Sequence, residues 1–580
     1  MSPTATIVHD GHESSATEKD TTASRGSTST PPGDTSTPAT SGKSRAFYMS
    51  FMAIMVTTFL SALDLTAVGT ALPTIAAALK DTKGEFTWVG SAYALSSTAF
   101  IPLSGSMADA FGRHVRRSCR RISCPSSPCV QEARPVDLYR ALRDRKRVGR
   151  RSPEHVDDDR SQECALFFRI GGGGILNLTE ILIADLVPLA ERGLYQGLVG
   201  LMWSLASSIG PPIGGALASR GNKAWRWLFF LNLPLTGLAF LLVTIYLNVK
   251  TPPGTVKEKL AKVDWLGNAM VIIGSGLVII GLTWGGIRYP WSSAPVLVTL
   301  ILGVLFLFAF GVYEATVPER PTIPLDVIGN RTSLSGLLTT AAHGIASLAI
   351  IYYLPVFFQA CFGASPIRSA VDFLPGALLT APFALIAGLL IMAGKRYREV
   401  NWIGWIFMIV AFGLISTLEA TASTSQWVGF QVVGAIGTGL IFSAPVFPIL
   451  APLNPDRAGS ALALFSFTRS FFQTWGIAIA GSILQNELSR NLPPAFVAQF
   501  PPHYEIAYAA IPAIDLLDQP LKSEVQAAFA SSMSVIWQVM IGLCGLGFLL
   551  SLLMKEVPMS MDVDDSYALE EEKVSDIEKL

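Results

Sequence analysis

Charged residues that lie well inside long apolar segments of this 580-residue sequence include Asp64, Glu180 and Arg469. Asp64 lies in the first such segment, Glu180 in the third and Arg469 near the end of the apolar part of the chain. A charge at that depth is costly in lipid and usually binds a proton, an ion or a polar group. We therefore expect Asp64, and after it Glu180, to bind and release a proton, and Arg469 to pair with an acid or a ligand. Each could instead make a structural contact between helices.

Other polar and aromatic residues in these segments are candidates to line a cavity. Gln473 follows Arg469 by one helical turn, so both would share a helix face. His343 is a lone histidine, more typical of a packed polar residue than of a proton site. The remaining candidates for contact with an apolar ligand could equally pack against helices or lipid; they are Gln359, Gln431, Trp203, Tyr352 and Phe358.

The composition is that of a membrane protein. Half of the residues are hydrophobic and only 15% are charged, against roughly 25% in a typical soluble domain. Lysines plus arginines number 43 and acids number 43, so the formal net charge is zero. These values exclude a nucleic-acid binder, a disordered protein and an ordinary cytosolic enzyme. The six cysteines are too few for a disulfide scaffold.

Thirteen segments are long and apolar enough to cross a bilayer, which takes about 20 residues as a helix. They predict an all-α, polytopic transmembrane bundle rich in glycine and alanine, as close helix packing requires. The segments are 46–70, 87–108, 166–187, 194–218, 227–248, 265–285, 295–317, 334–360, 370–393, 402–420, 427–450, 459–484 and 532–554.

One stretch does not fit this pattern. The loops 249–264, 318–333 and 394–401 are basic, and basic loops are typically cytosolic. For all three to be cytosolic, the chain must cross outward within 113–165, yet that stretch has no apolar run. It is rich in arginine and holds four of the six cysteines. Thirteen spans are visible where fourteen are expected.

Several motifs together carry a resemblance to a known family. "GSMADAFGR" at 105–113 fits the pattern Gly-x-x-x-Asp-x-x-Gly-Arg, and "GLVGLMWSLASSIGPPIGGAL" at 197–217 contains a Gly-Pro near the end of a span. "LDLTAVGTALPTI" at 63–75, "WRWLFFLNLP" at 225–234 and "VDWLG" at 263–267 add to these. The sequence resembles the 14-spanner drug:proton antiporters of the major facilitator superfamily, most of all the fungal multidrug and secondary-metabolite exporters.

This resemblance implies two six-helix halves with two inserted helices between them, and export of a hydrophobic small molecule in exchange for protons. It also implies a charged latch between helices at the cytosolic end of the second span, formed by Gly105, Asp109, Gly112 and Arg113. An antiporter-type fifth helix would bend and pack closely through Gly200, Gly210, Pro211, Pro212, Gly214 and Gly215.

The resemblance is interrupted where the topology fails. After Arg113 the family continues with a third apolar helix, and it has an Arg-x-x-Gln-Gly motif ahead of the glycine run in its fourth helix, which here is Gly171 to Gly174. The positions expected to hold those three residues are Ala165, Phe168 and Arg169. Our hypothesis is that about 115–168 is a gene-model or splicing error, or a frameshifted allele.

The predicted organisation has five parts. The tails are expected to be cytosolic, the first of them disordered because it is rich in Ser and Thr and poor in apolar residues. The parts are 1–45, a disordered tail; 46–248, the first helix half with the aberrant 113–165; 249–333, cytosolic loops and two inserted helices; 334–555, the second half with a long external loop at 485–531; and 556–580, an acidic tail.

We expect no enzyme activity, no cofactor and no metal site, since no catalytic, ATP-binding or zinc-ligand pattern is present. The expected partners are a hydrophobic small molecule, protons and the bilayer, and the chain is expected to act as a monomer. The plasma membrane is the expected location, with a vacuolar or vesicle membrane as the alternative. A uniporter or importer, and a non-transporting product that lacks its third helix, remain alternative functions.

Overall fold

Helices make up the regular structure of this protein in the computed structural model. The structure describes residues 45–78, 98–111 and 177–218, scattered positions between 220 and 242, and, with short gaps, 255–559. Apart from one isolated bridge between Gly285 and Tyr289, the regular elements in these ranges are helical. The predicted all-α fold is confirmed.

The helices are numbered here in chain order. They are α1 (Arg45–Ala78), α2 (Ile101–Phe111), α3 (177–186), α4 (Arg192–Ala218), α5 (Val256–Ala261), α6 (Trp265–Trp284), α7 (Ala294–Thr316), α8 (Leu325–Gly329), α9 (Arg331–Phe362), α10 (Pro366–Gly394), α11 (Arg398–Ile415), α12 (Thr424–Ser443), α13 (Val446–Leu450), α14 (Ala458–Asn491), α15 (Pro494–Val497), α16 (Ile511–Ile514) and α17 (Leu521–Ser551).

Seven helices in the described ranges are long and apolar enough to cross a bilayer: α6, α7, α9, α10, α11, α12 together with α13, and α17. This establishes a multi-pass membrane protein. Helices α1 and α14 have 34 residues each, or about 50 Å at 1.5 Å per residue. That length also exceeds the roughly 30 Å of the hydrocarbon core.

The helices α14 and α17 extend beyond the apolar segments that predicted them. Helix α14 continues to Asn491 and α17 begins at Leu521, so the connection between them is shorter than the expected loop 485–531. The polar end of α14 stays helical, with an ion pair of 3.0 Å between Arg490 and Glu487 one turn apart. Hydropathy marked the apolar part of each helix and missed its polar continuation.

The second half, α9 to α17, packs around a large aromatic core. The side chains of Trp405, Trp537, Phe357 and Phe529 are almost fully buried there. The rings of Phe412 and Trp537 stack with their centroids 6.1 Å apart. Because these aromatics come from α9, α11 and α17, they fix those helices as one unit.

The described parts of the first half meet the second half mainly along two helix pairs. Helix α4 packs against α10, and α2 packs against α14. Small residues allow both approaches: a Cβ on Gly200 would stand 2.7 Å from Ala384 Cβ, and one on Gly105 would stand 2.8 Å from Ala463 Cβ. Close backbone packing through small residues is a usual way to associate helices in lipid.

The inserted helices α6 and α7 form a pair beside α14. Val278, Ile279 and Leu282 of α6 pack against Phe471 and Ala478 of α14. Most of α7 is exposed along its apolar length, as expected for a helix that faces lipid. The pair therefore packs beside the two helix halves and does not lie between them.

Several loops gather at one end of the bundle. Lys395 Nζ donates to the Ala190 carbonyl at 2.8 Å, and Arg331 Nε donates to the Leu553 carbonyl at 2.9 Å. Arg457 and Asp326 form an ion pair at 3.5 Å. The loops near 318–333 and 394–401, which the charge pattern assigns to one side, thus lie at the same end. That this end is cytosolic stays a prediction.

Some predictions fall outside the described residues. They include the tail 1–44, the stretch 112–176 that contains the aberrant segment, and the acidic residues 560–580. The organisation proposed for these parts stays a prediction.

Candidate functional site

A cavity lies between α4 of the first half and four helices of the second half, α9, α10, α12 and α14. Its volume is about 80 Å³, smaller than the roughly 300 Å³ or more of a typical small-molecule site. Its described lining is mostly apolar or small: Trp203, Ser204, Ser207, His343, Ser347, Ile350, Ile351, Leu354, Phe373, Gly376, Ala377, Thr380, Gln431, Gly434, Ala435, Thr438, Phe442, Arg469 and Gln473.

Arg469 supplies the positive charge of this cavity. Its Nη2 donates to the carbonyl of Phe442 at 2.8 Å. Its guanidinium lies over two rings, 4.7 Å from the centroid of Phe442 and 4.3 Å from that of Phe465. Contact with two aromatic rings offsets part of the desolvation of this cation. Within the described chain, its buried Nε has no hydrogen-bond partner.

His343 faces the same cavity from α9. Its side chain is buried, with 3% of the residue exposed, and its Nε2 has no hydrogen-bond partner among the described residues. It lies within electrostatic reach of Arg469. A buried imidazole usually has a hydrogen-bond partner, and the described residues supply none to this nitrogen.

Gln431 is a structural residue as well as a lining residue. Its Nε2 donates to the Asp372 carbonyl at 2.9 Å, and its Oε1 accepts from the Gly376 N–H at 3.3 Å. It thereby bonds α12 to the backbone of α10 next to Pro375, which has no N–H of its own. The neighbouring glutamine of the cavity, Gln473, makes no such bond within the described chain.

Glu180 is not a lining residue, but its charge acts on the cavity. Its carboxylate is buried and accepts a hydrogen bond of 2.5 Å from Gln196 of α4. It is within electrostatic reach of both Arg469 and Arg192. Arg192 donates to the carbonyls of Ala184 and Val187 at the end of α3, at 2.9 and 3.0 Å. An acid of the first half therefore acts on the cavity cation of the second half.

Three other predicted cavity residues do not contact this cavity. Gln359 donates to Ser369 Oγ at 3.0 Å, and Tyr352 is buried in the aromatic core. Phe358 is fully buried, with its ring 5.1 Å from that of Trp427. Trp203 does line the cavity, with its ring 6.2 Å from that of Phe442. A role in substrate contact stays a prediction for the first three.

The glycines and prolines of the predicted antiporter helix lie in α4, with the prolines inside the helix. Gly210 meets Thr66 and Ala67 of α1, and a Cβ on Gly215 would stand 3.1 Å from the N–H of Ile367 in α10. Gly214 and Pro211 are buried, and Pro212 is half-buried. The set therefore packs α4 between α1 and α10.

Four predicted residues cannot be placed at side-chain level. Asp64 lies within α1 and Asp109 within α2, but their side chains are outside the described structure. Gly112 and Arg113 fall beyond the described end of α2. The proton role of Asp64 and the latch role of the other three stay predictions.

Sequence reasoning missed two contacts that the geometry makes prominent. Gln196 was not singled out, although it is the hydrogen-bond donor to Glu180. Gly193 and Gly197 pack on α10, where a Cβ on Gly197 would stand 2.8 Å from Leu385 Cα. Their Gly-x-x-x-Gly spacing was the available signal for close helix packing.

Comparison with known proteins agrees with this architecture. A family model described as Major Facilitator Superfamily matches residues 164–477. The efflux pump FUS6 of Gibberella moniliformis is 35% identical over 541 residues, which cover 92% of this chain and 92% of that protein. The MFS-type efflux pump MMF1 of Pseudozyma antarctica is 32% identical over 92% of this chain and 95% of its own length.

A solved structure of the proton:xylose symporter XylE overlaps 86% of this chain and 94% of its own, with a TM-score of 0.48 and 12% identity. The family match covers more than half of the sequence, and the curated relatives align over nearly all of it. The chain is therefore a multi-pass membrane protein of the major facilitator superfamily.

Proposed function

We propose that this protein exports a hydrophobic small molecule across a membrane in exchange for protons. The observation that carries the proposal is the cavity between the halves, with a mostly apolar lining and few polar groups. Binding sites for small organic molecules have this character. The names of the relatives FUS6 and MMF1, both efflux pumps, support the direction of transport.

Alternating access would follow from movement of one half against the other. At about 80 Å³ the cavity is narrow, so the halves must separate at the α4–α10 or the α2–α14 contact for a substrate to enter. Glycines lie at both contacts, so the two halves meet there without large side chains on the glycine side. The protein would work as a monomer, since each chain holds both halves.

Protons would bind at Asp64 and Glu180. A carboxylate in an apolar segment is a natural site for reversible protonation. Glu180 is also near enough to Arg469 for its charge to alter the cavity, which links proton binding to substrate binding. The plasma membrane is the proposed location, because export out of the cell requires it.

The direct test uses inside-out vesicles from cells that make the full chain. An imposed proton gradient, acid inside, should drive accumulation of hydrophobic dyes, and a protonophore should abolish it. Vesicles from cells without the protein are the control. Equilibration of the dye across the membrane, independent of the proton gradient and without accumulation, would support a uniporter instead. Transport only in the opposite direction would support an importer.

A second candidate function is a non-transporting product of a damaged gene. The stretch 113–165 has no apolar run where a span is expected, and the family match begins only at residue 164. Cysteine-accessibility mapping of the loop 249–264 separates the two readings. A cytosolic loop agrees with a complete bundle, whereas an external loop means that the downstream helices are inverted. Sequencing the transcript tests whether about 115–168 is a gene-model error.

A further inference from the structure

The polar groups of the cavity form a positively charged pocket with unused hydrogen-bonding capacity. Arg469 is the permanently charged residue of the described lining, which contains no carboxylate. Its Nη2 is committed to the Phe442 carbonyl, but its buried Nε has no partner in the described part of the chain. An arginine N–H left unpaired in an apolar site is costly unless a ligand accepts from it.

A second group converges on the same space. His343 comes from α9 and Arg469 from α14, and the buried Nε2 of the histidine is likewise unpartnered among described residues. The two side chains are within electrostatic reach of each other. An imidazole that is neutral can donate from one nitrogen, so both groups can present N–H donors to one acceptor.

The rest of the described wall suits an apolar body. Ile350 and Leu354 of α9, Phe373 of α10 and Trp203 of α4 are among its large apolar lining residues. The Phe442 and Phe465 rings hold the guanidinium in place, so it cannot swing out to water without losing both contacts. The cation is therefore part of the binding surface and is not a mobile surface charge.

We propose that the cavity selects hydrophobic molecules that carry one anionic group, a carboxylate or an acidic enol, bound by Arg469 and His343. As a statement of substrate class, this rests on the proposed export function. The binding itself does not, and it can be measured in the absence of transport. Glu180 opposes such binding, because its negative charge acts on Arg469 from outside the lining.

Three matched probes separate charge from hydrophobicity: 2-naphthylacetate, its neutral primary amide, and 2-naphthylethylammonium. Their affinities for the full chain in nanodiscs are measured by ligand-induced thermal stabilisation, which reports binding to the folded state. We expect the anion to bind about tenfold or more tightly than the amide, as one charge-assisted hydrogen bond predicts. The cation should bind weakest of the three. An amide or cation that binds as tightly as the anion overturns the proposal.

Variants of the pocket residues should change the affinity for the anion in predictable directions. Arg469→Gln should weaken anion binding about tenfold and leave the amide unchanged, and Arg469→Lys should keep part of the preference. His343→Phe should weaken the anion a few-fold. Glu180→Gln should tighten it, an effect that a structural defect would not produce. Arg490→Gln removes the same charge from an exposed position and should change nothing.

Three outcomes distinguish failure of the anion assignment, of the proposed function and of the pocket itself. Equal losses for all three probes in Arg469→Gln, while Arg469→Lys binds like the parent, overturn the anion assignment. Tight, Arg469-dependent anion binding without any anion export in the vesicle assay supports the pocket and contradicts the proposed function. No binding of the anion at all overturns the pocket.

Discussion

Gly193 of α4 and Gly388 of α10 pack backbone to backbone where the two halves meet. A Cβ on either glycine would collide with the carbonyl of the other. Because the obstacle is backbone and not the end of a flexible side chain, the helices themselves would have to move apart. This contact belongs to the surface that must open and close if the halves rock.

Gly388→Ala should therefore destabilise the protein by about 1–3 kcal/mol, the usual cost of overpacking. It should also slow or abolish transport, since α4 and α10 could no longer close fully. Thermal unfolding in detergent and the vesicle assay are the measurements. Gly413→Ala is the matched control: it lies in α11 with nothing within 4 Å of its Cβ position, so alanine there should stabilise slightly. Equal behaviour of the two variants would contradict the prediction.

Gln431→Leu should cost roughly 1–3 kcal/mol of stability, because a buried pair of hydrogen bonds to the α10 backbone is lost. Gln473→Leu, a change of the same residue type in the same cavity, should cost clearly less. The free energies of unfolding of both variants, measured by denaturation under one condition, test this prediction. If Gln473→Leu proves the more harmful, then the bond to Asp372 does not secure α10.

Apolar segments predicted most of the described spans well, because hydropathy alone marks a chain that must cross lipid. The inserted pair is an example: 265–285 and 295–317 were predicted, and α6 and α7 cover 265–284 and 294–316. Helix ends were less predictable, since polar residues such as those after Leu484 continue a helix beyond the membrane.

The site was predictable only in part. Arg469, Gln431, Gln473 and Trp203 stood out by type, and the fold brings them to one cavity. The pairing of Glu180 with Gln196 could not be read from the sequence, because it depends on how α3 and α4 face each other. The sequence gives His343 little weight as a site residue, since a lone histidine carries no spacing signal.

Asp64→Asn should abolish proton-driven transport while leaving the protein folded, because asparagine has similar size but cannot exchange a proton. The measurement is dye accumulation in inside-out vesicles with and without a proton gradient. Asp326→Asn is the control; this acid is half exposed and pairs with Arg457 at one end of the bundle. Unchanged gradient-driven transport in Asp64→Asn would exclude this residue as the essential proton carrier and leave Glu180 as the next candidate.

The segment that follows α17 is held by a tyrosine whose ionisation should release it. Tyr397 Oη donates to the Lys555 carbonyl at 2.5 Å and accepts from the Val557 N–H at 3.0 Å. Burial raises the pKa of Tyr397 to about 12, from about 10 in an unfolded chain. Between these values the folded state holds more protons, so its contribution to stability is complete below pH 10 and falls as the pH rises toward 12.

Tyr397→Phe removes this hydroxyl and leaves the ring in place. Below pH 10 the parent should be more stable than the variant, and the difference should shrink steadily between pH 10 and 12, because a phenolate can no longer donate to Lys555. Chemical denaturation across that range measures it, with Tyr48→Phe at an exposed tyrosine as the matched control. A difference that stays constant to pH 12 would show that the hydroxyl proton does not hold the segment that follows α17.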